Sequence, residues 1–326
     1  LTPANSPAIW IKPIAIILGL AAFSALAIGM LYIDAKIVSY LTYLLAGAAV
    51  LIFVMVMRDK TLNKFEKNRV IVLFTVVFFV IFFWSAFEQA GASLTFFAEE
   101  QTQRDLGFFT VPSSWFQSLN SLFVVAFAPL FAWLWLKLGK KDPSAPTKMA
   151  IGLLLLAIGY LWIAFGVKDV GAGIKVSMIW LTGMYALHTW GELCLSPIGL
   201  SLANKLAPFK YASLLMAVWF LGNAFANKLA GVLSALYPPG VADIKKAADA
   251  GIELEPILSK AVIPSAEVIA KLKDSGIPYE FKSIIGYNIN SLYDFFVLFL
   301  IMAGVSSLIL FVLTKKLQKM MHTEEN

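Results

Sequence analysis

One cysteine and two histidines among 326 residues leave the chain without a disulfide framework and without a cluster of metal ligands. The cysteine, Cys194, falls inside an apolar segment, so thiol chemistry is not expected. Charge is scarce as well. Lys, Arg, Asp and Glu together make 14% of the sequence against 60% apolar residues, far from the composition of an ordinary globular domain. The net charge of +6 does not suggest nucleic acid, because the basic residues lie in short stretches between apolar runs and not along one solvated face. A nucleophile elbow, a metal-binding His motif and a phosphate loop are all missing, which removes most hydrolase and nucleotide-dependent classes. Leu1 is not an initiating methionine, and the first residues lack the charged, apolar and small-residue succession of a cleavable signal. The chain is therefore expected to be a segment of something longer.

What is present is apolar length. A helix needs about 20 mostly apolar residues to cross a hydrocarbon core of roughly 30 Å. Eight segments qualify: Pro13 to Leu31, Ile37 to Val56, Val70 to Phe97, Trp115 to Leu136, Met149 to Gly166, Val176 to Leu206, Tyr211 to Ala235 and Leu292 to Leu313. Aromatics reach 14%, with nine Trp, which suits helix ends among headgroups and a cavity-lined interior. The first two spans, joined by a few residues around Asp34 to Lys36, read as an antiparallel hairpin with almost nothing polar in its core.

Short loops rich in Lys and Arg mark the cytoplasmic side. Arg58, Lys60, Lys64, Lys67 and Arg69 follow the second span, and Lys137, Lys140, Lys141 and Lys148 follow the fourth. Lys315, Lys316 and Lys319 follow the eighth, so alternation puts both termini of the chain inside. The stretch Tyr237 to Asn290 is too long and too polar for a turn and is expected outside, with short surface helices at Val241 to Ala250 and Ser265 to Lys273. The resulting organisation is residues 1–69 as hairpin and cytoplasmic linker, and residues 70–326 as a six-helix bundle carrying an extracytoplasmic insertion at 237–290.

An ionisable group at membrane depth is costly, so it faces a partner or a water-filled cavity. Glu88 lies within the third span, Glu192 near the middle of the sixth and Lys228 in the outer half of the seventh. Residues four apart share a helix face. That spacing sets Trp84 beside Glu88, Phe116 beside Asn120, His188 with Glu192 and Ser196, and Trp219 beside Asn223. Converging, these rows would line a polar chamber with aromatic walls, fit for a small amphipathic solute. Trp84, Phe116 and Trp219 equally suit plain helix packing, Asn120 a helix-to-helix hydrogen bond, and Lys228 an outward-reaching stem. Pro197 removes a backbone donor and is expected to kink or open the sixth span near Glu192.

Three runs carry a resemblance. Gly191-Glu192-Leu193-Cys194-Leu195-Ser196-Pro197 resembles the signature of the proton-dependent oligopeptide transporter family, peptide transporters within the major facilitator superfamily. Phe83-Trp84-Ser85-Ala86-Phe87-Glu88-Gln89 resembles that family's seventh core helix, and Trp115-Phe116-Gln117-Ser118-Leu119-Asn120 its eighth. The resemblance implies an all-α membrane protein, the carboxyl-terminal six-helix bundle of a major facilitator fold plus the two-helix hairpin of bacterial members, in the bacterial inner membrane. It implies proton-coupled symport of di- and tripeptides, with protons as coupling ion, no other cofactor, and the amino-terminal six-helix bundle as partner. By the same resemblance Glu192 receives the peptide's amino terminus with Ser196 nearby. Trp84, Asn120 and Trp219 line the substrate pockets. Asn223 joins them less securely, because the family often has a serine or another small residue there. Glu88 takes part in proton coupling, and Glu99 or Glu100 meets an arginine of the other half at the outer gate. Two other readings are weighed: a membrane enzyme using Glu88, His188 and Glu192 as acid and base, and a non-transporting structural or receptor-like bundle.

Overall fold

The computed structural model describes residues 8–31, 35–171 and 173–321. Its helices are α1 (Ala8–Leu31), α2 (Ala35–Arg58), α3 (Lys64–Phe87), α4 (Ser93–Glu100), α5 (Trp115–Leu138), α6 (Ala145–Val167), α7 (Met178–Leu206), α8 (Ala212–Ser234), α9 (Val241–Asp249), α10 (Leu254–Leu258), α11 (Ala266–Asp274) and α12 (Leu292–Met321). Two short strand pairs join them: β1 (Thr102–Gln103) beside β2 (Val176–Ser177), parallel, and β3 (Lys282–Ile284) beside β4 (Tyr287–Ile289), antiparallel. The chain divides into two compact units, Leu1–Val54 and Met55–Asn326. The first holds α1 and most of α2; part of the turn expected between them lies outside the described residues.

Among the described residues six helices are long and apolar enough to cross a membrane, and a shorter apolar stretch, Ile17–Leu26, lies in α1. The expected sixth span is present as α7 at 29 residues, but it is not among those six. His188, Thr189, Glu192 and Ser196 dilute its apolar character.

Two boundaries differ from expectation. The basic run after α2 is not all loop, for α3 begins at Lys64 and carries Lys67 and Arg69 on its first turns. The cause is a reciprocal cap: the Glu66 amide donates to Asn63 Oδ1 and the Asn63 amide to Glu66 Oε2, both at 2.8 Å. The third span is not one helix. It breaks after Phe87 into a 3-10 turn, Glu88–Gly91, and restarts at Ser93.

Freed carbonyls inside a membrane need partners, and side chains supply them here. Tyr160 Oη donates to Ala86 O at 2.6 Å, Gln89 Nε2 to Ser85 O at 3.2 Å, and Gln117 Nε2 to Ala90 O at 3.2 Å. Gln89 also reaches Ala230 O on α8 at 3.0 Å and accepts from Ser93 Oγ at 2.6 Å. Three neighbouring helices, α5, α6 and α8, thus hold one break.

The core is built on α6. It packs along α7 and α12, while α3 lies against α8 and α12 and α5 leans on α7. Gly152 and Gly191 let the α6 and α7 backbones meet, since a Cβ on either would stand 2.7 Å from the other's carbonyl oxygen. Tyr160 stacks on Phe299 at 4.8 Å, and Ser307 Oγ donates to Ala150 O at 2.8 Å, tying α12 to α6. By contrast α5 buries only Phe116, leaving Leu122, Val125, Leu130, Trp133 and Leu136 exposed. Such a helix is suited to lipid or a further bundle as its neighbour.

The insertion after α8 folds on itself. Ala247, Ile252, Leu254, Ile257, Leu258, Leu272 and Ile277 form a separate small core. Both surface helices expected there are present as α9 and α11.

Candidate functional site

The centre of the site is a carboxylate held between two helices. Asn120, in the second turn of α5, donates from Nδ2 to Glu192 Oε2 at 2.8 Å and to Thr189 Oγ1 at 3.1 Å. Thr189 lies one turn before Glu192 on α7, and its hydroxyl donates to Tyr185 O at 2.8 Å, which leaves its lone pairs for Asn120. Glu192 and Asn120 are both half-buried. The amide therefore fixes one carboxylate oxygen while the other is left to a further donor. A half-buried carboxylate in that state is a receptor for an ammonium group or a proton.

The structure brings some expected residues to this centre and places others elsewhere. Glu88 is exposed at the C-terminal end of α3, where the helix breaks, and its charge acts electrostatically on Glu192. Trp84, one turn earlier and half-buried, meets Phe83 and Phe87 edge-to-face at 5.5 and 5.2 Å. Ser196 is half-buried one turn beyond Glu192. α7 continues as one helix through Pro197, so the expected opening there is not a break. Trp219 is 4% exposed and lies over Gly199, where a Cβ would come within 2.5 Å of the indole, so it packs α8 onto α7. Asn223, one turn further along α8, is half-buried, and its Oδ1 is buried without a hydrogen-bond partner among the described residues.

His188 does not share the Glu192 surface. It is 2% exposed and faces α6, against Gly159 and the Tyr160 ring at 4.8 Å. One helical turn of four residues rotates a side chain by about 40°, enough to move from the α5 side of α7 to the α6 side.

The two carboxylates expected at an outer gate have partners within the chain. Glu99 accepts from Arg104 Nη2 at 2.7 Å, and Arg104 also donates from Nη1 to Val111 O at 2.8 Å. Glu100 sits at the N-terminus of α9, accepting from the Ala242 amide, with Gly240 leaving room that a Cβ would fill. Thr189, Gln89 and Tyr160 are contributors that sequence reasoning missed. A threonine one turn from a carboxylate within an apolar span was the available signal for the first.

The sequence pattern of the POT family matches residues 33–247. The chain is 39% identical over 222 residues to the uncharacterized transporter YclF of Bacillus subtilis, covering 68% of this chain and 45% of that protein. It is 38% identical over 201 residues to the peptide transporter YePEPT of Yersinia enterocolitica, covering 60% and 39%. It is 31% identical over 192 residues to a di-/tripeptide transporter of Lactococcus lactis, covering 58% and 39%. Among solved structures, a peptide transporter POT in complex with alafosfalin aligns over 99% of this chain and 55% of its own, with a TM-score of 0.68 and 28% identity. A POT family transporter in complex with a thioalcohol-conjugated peptide aligns over 97% and 56%, with a TM-score of 0.65 and 26% identity. The chain spans less than half the length of these sequence relatives. The pattern covers most of the chain and includes the Asn120–Glu192 centre, and the chain belongs to the POT family.

Proposed function

We propose that this chain is the carboxyl-terminal half, with the inserted hairpin, of a proton-coupled symporter of di- and tripeptides. The observation that carries the reading is the Glu192 carboxylate, oriented by Asn120 at 2.8 Å and half-buried between α5 and α7. An ammonium entering the chamber finds there an anion with one oxygen already fixed, so little is lost in ordering the site. A peptide's carboxylate needs a cation, which this reading assigns to the amino-terminal bundle. Alternating access then rocks one bundle against the other around the site, and neither half transports alone.

In the same reading Glu88 takes up and releases the coupling proton near Glu192, and Trp84 and Asn223 border the substrate. Glu99 and Glu100 stand at the outer gate, exchanging their present partners for an arginine of the other half. Both ends of the chain face the cytoplasm of a bacterial cell, and the 237–290 insertion lies outside. Proton-driven uptake of a labelled dipeptide into liposomes by the complete transporter tests the proposal. Glu192→Gln is expected to abolish uptake while the protein still melts normally; undiminished uptake would overturn the role assigned to Glu192.

A further inference from the structure

Both connections between the insertion and the bundle line one cavity, of about 340 Å³, at the end of the bundle opposite the basic loops. Tyr237 to Gly240 lead from α8 into the insertion, and Asn290 to Leu292 return from it to α12. The bundle adds Gln101, just past α4, and the insertion adds Glu255, Leu258 and Phe281. The volume falls at the lower end of the range of small-molecule sites.

Gln101 makes the cavity selective. It is 4% exposed, and its backbone is fully used: the amide donates to Phe97 O at 3.0 Å and the carbonyl accepts from the Val176 amide at 2.7 Å. Its carboxamide makes no hydrogen bond among the described residues, and the residue borders the cavity. Tyr237, which also lines the cavity, has a buried hydroxyl without a partner among the described residues. Buried polar groups are costly to leave unpaired, so a ligand group that both donates and accepts is favoured beside them. Val170, Ile244, Leu258, Phe281 and Leu292 supply apolar walls. Glu255 is exposed, carries the one charge among the described lining residues, and has no ion pair among them. An ammonium therefore finds a counter-ion at this cavity and a carboxylate does not.

We infer that this cavity binds the amino-terminal end of a short apolar peptide, its ammonium at Glu255, its amide at Gln101 and its side chain against Leu258 and Phe281. Such a ligand touches both connections at once and fastens the insertion to the bundle. The inference rests neither on Glu192 nor on transport, and its test is made with that centre disabled, so its failure leaves the proposed function standing.

The complete transporter carrying Glu192→Gln, purified in detergent, is titrated with L-phenylalaninamide and with N-acetyl-L-phenylalaninamide, and binding is read by saturation-transfer NMR. The free amine is expected to bind. Adding Glu255→Gln weakens it about three- to fivefold, the worth of an exposed ion pair. Adding Gln101→Met, which keeps the length of the side chain, weakens it about tenfold through two lost hydrogen bonds. The acetylated probe has no ammonium, so it starts three- to fivefold weaker and is indifferent to Glu255→Gln. Glu253→Gln, an exposed carboxylate of the same module that does not line the cavity, leaves binding of the free amine unchanged. Where Gln101→Met fails to fold, Glu255→Gln with an unchanged melting curve carries the comparison. No binding of the free amine, equal binding of the two probes, or binding unchanged by Glu255→Gln overturns the inference. An equal loss in Glu253→Gln overturns it in favour of diffuse surface charge.

Discussion

Replacing Gly152 by alanine tests how the α6–α7 pair is built. The new Cβ would stand 2.7 Å from Gly191 O and 3.1 Å from the Leu195 Cβ, the first a backbone atom that cannot rotate away. Restoring ordinary contact moves the helices apart by about 0.7 Å, and overpacking of this kind costs about 1–3 kcal/mol. Alanine also favours a helix over glycine by about 1 kcal/mol in water, which obscures the packing cost in a single variant. Gly231→Ala supplies the reference, because a Cβ at Gly231 on α8 meets nothing within 4 Å. The difference between the two variants cancels the intrinsic preference and leaves the packing term. In thermal melting of the complete transporter in detergent, Gly231→Ala is expected at or above the wild-type midpoint and Gly152→Ala below it. The gap between them is several degrees, at roughly 2–4 °C per kcal/mol. Equal midpoints would show that α6 and α7 do not touch backbone to backbone at this crossing.

Tyr160→Phe removes the 2.6 Å bond to Ala86 O and leaves a buried carbonyl without its donor, for a loss of about 1–3 kcal/mol in the same melting assay; an unchanged midpoint refutes the role of Tyr160 at the break. Thr189→Val keeps the shape but deletes one acceptor of Asn120, so peptide affinity of the complete transporter falls by about two- to tenfold, read by competition binding, while Glu192→Gln falls much further. Asp59 accepts from Lys210 Nζ and Tyr211 Oη, both at 2.6 Å, and from Thr61, contacts that hold its carboxyl well below the usual carboxylate range. Folding therefore lowers this pKa. Its contribution is complete above the ordinary value of 3.8 and is lost as pH falls through the depressed one. The midpoint difference between wild type and Asp59→Asn is accordingly flat from neutral pH down to about 5 and shrinks only under strong acid; a difference that fades near neutrality would contradict the arrangement.

The membrane helices were legible because length and apolarity are local properties, and the polar rows because four-residue spacing fixes a face. On that basis Asn120 and Glu192 were expected on converging helices, and they meet. The break at Glu88 was not legible. Its carbonyls are satisfied by Tyr160, Gln89 and Gln117, two of them remote in sequence, and no local pattern announces such help. The start of α3 could have been read from Asn63 and Glu66, whose spacing is that of a capping box, but the density of lysines there suggested a loop. Trp219 and His188 lie on rows that pointed to a chamber, yet both are consumed by glycines of a neighbouring helix. A helical row states which residues share a face and not which neighbour that face will meet. Glu100 makes the same point, since its partner, the Ala242 amide, depends on where the insertion folds back.

The insertion completes its small core from its own residues, between Ala247 and Ile277. Its interior therefore answers to a different selection from that of the helices beneath it. A change at Leu272 alters the ornament and leaves the machinery of the bundle in register, whereas a change at Gly152 disturbs the machinery itself. Such a module can drift in sequence, be exchanged among relatives or serve as a rigid grip for an antibody fragment, while the membrane portion stays as it is.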